Sequence, residues 1–184
     1  MKIKPLEIPD VLLLELEVYS DERGLFMETY QSLKFAELGI PDPFVQDNHS
    51  GSRWGVLRGL HYQIRHAQGK LVRAIVGEIF DVCVDLRRSS PTFGKWVGMT
   101  LAAVDNKQIW IPKGFAHGFF VLSEWAEVLY KVTEFYAPEW ERTLLWNDPE
   151  LGIEWPLEPG QVPIQSERDR SGKPIADAEV YDWM

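Results

Sequence analysis

Three stretches of this chain place apolar side chains at every second position, a period that suits strands and leaves little room for helix. Leu14, Leu16 and Val18 alternate with Glu15 and Glu17. Phe80, Val82, Val84 and Leu86 alternate with Asp81, Cys83 and Asp85. Val128, Tyr130 and Val132 alternate with Leu129, Lys131 and Thr133. Such a period fits a two-sided sheet. Turn chemistry punctuates the gaps: Asp21-Glu22-Arg23-Gly24, Ser89-Ser90-Pro91, Ile111-Pro112-Lys113-Gly114 and Ala137-Pro138. One short segment, 32–38, reads as a helix with a Ser32 cap and a stop at Gly39. Many short strands with almost no helix predict an all-β sandwich or barrel. From Asp148 onward Pro and Gly become frequent, which predicts loops with short helical turns. That part is expected to be a lid-like extension of one domain spanning 1–184.

Composition narrows the function classes. The formal charge of −9 argues against nonspecific nucleic-acid binding, which needs a basic footprint. A few arginines can still make a positive pocket for a phosphate. The eight Trp, nine Phe and six Tyr suit a core, an interface or a pocket for a flat ligand, without choosing among them. Cys83 is the single cysteine, so a reducing compartment is expected. The first residues lack the uncharged apolar core of a secretory signal, with Asp10 and Glu15 interrupting. No apolar run reaches the length of a membrane span. The expectation is a cytoplasmic protein with no membrane partner.

Four histidines are present, His49, His61, His66 and His117. His117 closes Pro112-Lys113-Gly114-Phe115-Ala116-His117, a Pro-x-Gly-x-x-His pattern similar to the second motif of cupins, which are β-barrels of jelly-roll type. Metal-binding cupins supply His-x-His and a Glu from a first motif. Here Gln63 stands at the second His, and Lys70 stands near the Glu. An ammonium offers donors only and repels a divalent cation, so no metal and no other cofactor is expected. What remains is a histidine, a lysine, a tyrosine and several arginines. Those residue types can move a proton beside a carbonyl: an imidazole removes it, a fixed ammonium stabilises the enolate, and a phenol returns it.

The blocks Asp21-Glu22-Arg23-Gly24, Phe44-Val45-Gln46-Asp47-Asn48-His49-Ser50, Leu57-Arg58-Gly59-Leu60-His61, Gln68-Gly69-Lys70-Leu71-Val72-Arg73, Ser90-Pro91-Thr92-Phe93-Gly94, Gly114-Phe115-Ala116-His117-Gly118, Leu129-Tyr130-Lys131 and Gly152-Ile153-Glu154-Trp155-Pro156 occur in order along nearly the whole chain. In these the sequence closely resembles the dTDP-4-dehydrorhamnose 3,5-epimerases. The resemblance implies a cupin-type jelly-roll β-barrel. It also implies that His61 is the general base at C3 and C5 of a 4-keto sugar, with Asp169 fixing its tautomer. Lys70 would stabilise the enolate at O4, and Tyr130 would be the acid on the opposite face. Arg23, Arg58 and Arg168 would hold the diphosphate of a dTDP-hexose. Phe26, Glu28, Gln46 and Asn48 would contact the thymidine or its phosphates, with Asp47, His117, Tyr136 and Glu141 also counted in the binding site. Family members are dimers in which the amino-terminal part of one subunit reaches the partner's nucleotide, so a homodimer is expected. Departures from the family's pattern are Arg168 in place of a common Lys, Tyr62 in place of a frequent Phe, and Ser171-Gly172-Lys173-Pro174.

Each residue has a plainer role open to it. His61 suits a buried structural site, Tyr130 a strand face, Lys70 a solvated turn, Asp169 a charged loop, and Arg23 a turn. Strict alternation also sets Arg58 and His61 on opposite faces. Both reach one pocket only if the strand bulges or bends, with Gly59 the natural place. Rival functions are an epimerase acting at one carbon, a metal-dependent cupin oxygenase, and a nucleotide-sugar binding module without catalysis.

Overall fold

The computed structural model describes residues 1–40 and 43–182. Its strands are β1 (Lys2–Pro5), β2 (Leu12–Glu15), β3 (Val18–Asp21), β4 (Gly24–Met27), β5 (Gln46–Arg53), β6 (Leu57–Gln63), β7 (Lys70–Val76), β8 (Glu78–Asp85), β9 (Trp96–Ala102), β10 (Lys107–Ile111), β11 (Phe115–Val121), β12 (Trp125–Val132) and β13 (Glu141–Thr143). Six strands pair in the order β1-β2-β10-β7-β12-β5, five in the order β13-β6-β11-β8-β9, and β3 and β4 make a separate hairpin. The all-β class holds. The jelly-roll is not a closed barrel, because no ladder among the described residues joins β5 to β13. Those two edges flank a cavity, and the chain is an open sandwich of two antiparallel sheets.

Alternation along β8 explains the layers. Ile79 and Cys83 join Val72, Ile109, Phe119 and Val128 in a core between the sheets. Val82, Val84 and Leu86 point the other way and pack with Leu144, Leu151, Ile175 and Tyr181. The segment after Asp148 thus runs as a belt over the outer face of the five-stranded sheet and brings Arg168 to the cavity. The reason is apolar area: each fully buried Val or Leu contributes roughly 1.5–3 kcal/mol, and this face has no other cover. A third cluster, Leu14, Leu71 and Trp110, is capped by Phe35 of the helix α1 (Ser32–Glu37) and by Ile40 just after it. The cap of α1 is Gln31, whose side chain accepts from the Lys34 N–H at 2.6 Å, in place of the expected Ser32. The alternation over Leu14–Val18 is also broken. The Leu16 N–H goes to the Asn106 carbonyl at 3.1 Å, turning the chain out of the sheet toward the β3–β4 hairpin.

The pairing of β6 with β11 slips where the alternation demanded it. His61 lies opposite His117 and Arg58 opposite Phe119, so two residues of β6 face one of β11. Gly59 sits at φ +111°, and a Cβ there would come 2.6 Å from the Gly118 Cα. Only glycines fit this crossing. The expected bend at Gly59 is present and turns Arg58 and His61 to the same side. No helix among the described residues is long and apolar enough to cross a membrane.

Candidate active site

Toward the β5, β6 and β13 end of the sandwich the apolar filling gives way to a polar cavity of about 370 Å³. The six-stranded sheet contributes Gln46, Asn48 and Ser50 of β5, Lys70 of β7 and Tyr130 of β12. The five-stranded sheet contributes Arg58 and His61 of β6, His117 of β11 and Glu141 of β13. Tyr136 and Arg168 stand at the mouth. His61 and Tyr130 therefore come from opposite walls.

Behind His61 lies Asp169, on the short helix α2 (Glu167–Arg170). Its Oδ1 is 2.7 Å from the His61 Nε2. The approach to Nε2 is oblique, yet at this distance the pair is coupled first as a hydrogen-bonding contact and then through charge. Asp169 is otherwise held firmly. Its Oδ1 accepts from the Gly59 N–H at 3.1 Å, and its Oδ2 accepts from the Ser166 hydroxyl at 2.6 Å. Burial pushes this carboxyl up, but His61, Ser166 and Gly59 outweigh it and hold it well below the usual carboxylate range. Burial likewise lowers the His61 pKa, with Asp169 acting against it and Arg168 and Lys70 reinforcing it. The net direction leaves a neutral imidazole at neutral pH, the form that can take a proton.

Lys70 is only 7% exposed, and its Nζ donates to the His61 carbonyl at 3.2 Å. Burial brings its pKa down to about 8, opposed by Glu141 and Asp81. The ammonium is thus mainly retained at neutral pH, in a site where little water screens it. Burial also raises the Tyr130 pKa, which keeps its phenol protonated. Arg58 is set by its Nε bond to the Ser52 hydroxyl at 2.9 Å.

Several side chains take places the sequence did not assign. The buried Asp81 accepts from the His117 Nε2 at 2.8 Å, and its other oxygen has no partner. Its inward alternation with Cys83 and Asp85 was the available signal. Gln63, at the second histidine position of the metal-cupin motif, spends its amide on backbone. It donates to the His66 and Phe135 carbonyls at 2.8 and 3.2 Å and accepts from the Ala137 N–H at 2.8 Å. Gln46 accepts from the Tyr136 N–H, and Gln68 donates to the Glu134 carbonyl. Three glutamines thus hold the loop 134–137 at the mouth. Among the described residues no group of three or more His, Cys, Asp or Glu is placed to share a metal ion.

Four expected binding residues lie outside the cavity lining. Asp47 points outward and pairs with Lys131 at 2.8 Å, because period two sends Gln46 and Asn48 inward and their neighbour out. Arg23 and Phe26 stand on the β3–β4 hairpin with the Arg23 side chain 86% and Phe26 70% exposed. Arg23 is paired with Asp21 at 2.5 Å. Glu28 bonds Lys34 at 2.7 Å. The hairpin belongs to neither sheet and leaves these side chains outside the cavity.

The family model described as dTDP-4-dehydrorhamnose 3,5-epimerase matches residues 5–177. A dTDP-4-dehydrorhamnose 3,5-epimerase of Pseudomonas aeruginosa is 62% identical over 98% of this chain and 99% of its own length. The crystal structure of a dTDP-6-deoxy-D-glucose-3,5-epimerase from Legionella pneumophila, in complex with dTDP-4-keto-L-rhamnose, superposes with a TM-score of 0.96. It is 47% identical and covers 100% of this chain and 98% of that one. A 3′-monoepimerase from Streptomyces bikiniensis, in complex with dTDP-quinovose, has a TM-score of 0.86 at 33% identity, over 94% of this chain and 87% of its own. The chain belongs to the dTDP-4-dehydrorhamnose 3,5-epimerase family.

Proposed function

We propose that this chain, acting as one domain, epimerises C3 and C5 of dTDP-4-dehydro-6-deoxy-D-glucose to give dTDP-4-dehydro-L-rhamnose. His61 removes the proton beside the C4 ketone, and the electron pair left on carbon delocalises onto O4. Lys70 stabilises that enolate oxygen. Tyr130 delivers a proton to the carbon from the opposite face, the ketone re-forms, and solvent restores both side chains. The cycle repeats at the second carbon. One observation carries the reading: a neutral imidazole and a protonated phenol occupy opposite walls of one cavity, beside a buried ammonium. Proton transfer with inversion requires that placement. Arg58 and Arg168 hold the diphosphate, Gln46 and Asn48 the nucleotide, and His117, Tyr136 and Glu141 line the sugar's surroundings. The exposed Arg23, Phe26 and Glu28 favour a homodimer whose hairpins reach the partner's nucleotide. We place the protein in the cytoplasm.

The S. bikiniensis monoepimerase shares the fold, so the number of inverted carbons needs its own test. In D₂O, NMR of the product is expected to show deuterium at both C3 and C5. Exchange confined to one carbon would assign a single-site epimerase instead. Tyr130→Phe is expected to keep exchange at C3 within a few-fold of wild type, while the inverted product falls by about tenfold or more. Equal loss of exchange and inversion would remove Tyr130 from the acid role.

A further inference from the structure

A closed circuit of contacts runs around the cavity mouth, and Glu141 is its junction. Its Oε2 accepts from both the Arg168 Nη1 at 2.5 Å and the Tyr136 hydroxyl at 2.9 Å. Arg168 precedes Asp169 on α2, whose single turn is closed by a capping box between Ser166 and Asp169. Asp169 in turn contacts His61. On the other side Tyr136 belongs to the loop stapled by Gln63, and Gln63 is the register partner of Glu141 on the strand that carries His61. A single turn of four residues has little stability of its own, so its position depends on tethers to β6 and β13: the Gly59 N–H bond to Asp169 and the Glu141–Arg168 pair.

We propose that Glu141 is a positioning residue for the base: by tethering Arg168 it holds α2 against β6 and keeps Asp169 on His61. The inference deepens the epimerase reading and rests on it for the identity of the base. The pair is suited to alignment more than to stability. The Arg168 side chain is 51% exposed and that of Glu141 15%, and ion pairs so open to solvent contribute little to stability. Misplacing a reacting group by about 1 Å, however, can cost on the order of 100-fold in rate. The charged groups facing His61 are Asp169 and Arg168 from α2, Lys70 from β7, and Arg58 on its own strand. Tyr130 of β12, Glu141 of β13 and the Asp81–His117 pair from β8 and β11 complete its surroundings.

Glu141→Gln keeps the shape and removes the charge that tethers Arg168. kcat is expected to fall about tenfold, with KM within about twofold and the melting temperature unchanged. The His61 imidazole, titrated by NMR in the free protein, is expected to move to lower pKa, because Asp169 is what raises it. In an Arg168→Gln background the same change is expected to lower kcat no further. A raised KM with kcat and the His61 titration unmoved would overturn the proposal and make Glu141 a substrate contact. Losses that multiply in the double variant would overturn it too. The NMR titration needs no substrate, so it decides the tether even if the wild-type protein exchanges no sugar proton.

Discussion

His61→Ala is expected to lower epimerisation by on the order of 10³-fold while the sugar nucleotide still binds. General-base catalysis contributes about 10²–10⁴-fold, and here no second group can take over. His117 is the other cavity histidine, and its Nε2 is committed to Asp81. Lys70 is an ammonium below its pKa of about 8, and Tyr130 is held protonated by burial. Calorimetry with dTDP and solvent-exchange NMR with substrate separate the two effects. A variant that binds and still turns over at the wild-type rate would end the mechanism proposed above. The wild-type pH profile has a defined direction. The acid limb follows His61 below its ordinary 6.5, since the base must be unprotonated. The alkaline limb follows Lys70 near 8, since the ammonium is what meets the enolate.

Lys70→Met is expected to cost activity and add stability together. Loss of a fixed donor to a developing oxyanion costs about 10²–10³-fold in kcat. The stability sign follows from linkage. The folded pKa of about 8 lies below the ordinary 10.5, so the unfolded chain binds more protons between those values. Wild-type stability therefore rises with pH across that window and is lower below it. At pH 7 the buried charge is a burden on the order of 3 kcal/mol, offset by about 1 kcal/mol for its bond to the His61 carbonyl. The variant should melt about 5 °C higher at pH 7, and the gap should narrow toward pH 10. A variant that melts lower at pH 7, or whose gap does not change with pH, would show that the ammonium is already well solvated.

Much of this was legible before the fold was known, for identifiable reasons. The periodicity of 80–86 and 128–133 marked strands because each has one face in the central core. The conflict between Arg58 and His61 located the bend at Gly59, since period two admits no other resolution. What stayed hidden depended on contacts distant in sequence. Nothing local says that Leu16 turns out of the sheet toward Asn106, that Gln31 caps α1, or that the belt after Asp148 seals Val82, Val84 and Leu86. The resemblance counted Asp47 with Gln46 and Asn48, and strand alternation sends its side chain outward to Lys131. Arg23, Phe26 and Glu28 are chemically suited to a nucleotide, but the β3–β4 hairpin and the residue after it leave them outside the cavity. The Asp81–His117 pair and the use of Gln63 as a loop staple needed three-dimensional register to emerge.

The belt has a consequence for when the enzyme becomes competent during its own synthesis. Every strand of both sheets is complete at Thr143, yet the carboxylate beside His61 comes from Asp169, and Ile175 and Tyr181 close the outer core. A nascent chain with both sheets already paired would hold an empty cavity, an unassisted imidazole and a bare apolar face until residues 164–181 had cleared the ribosome. Proton transfer is thereby tied to a segment that emerges after both sheets, and a product truncated before it would be exposed to proteolysis and aggregation before it could touch substrate.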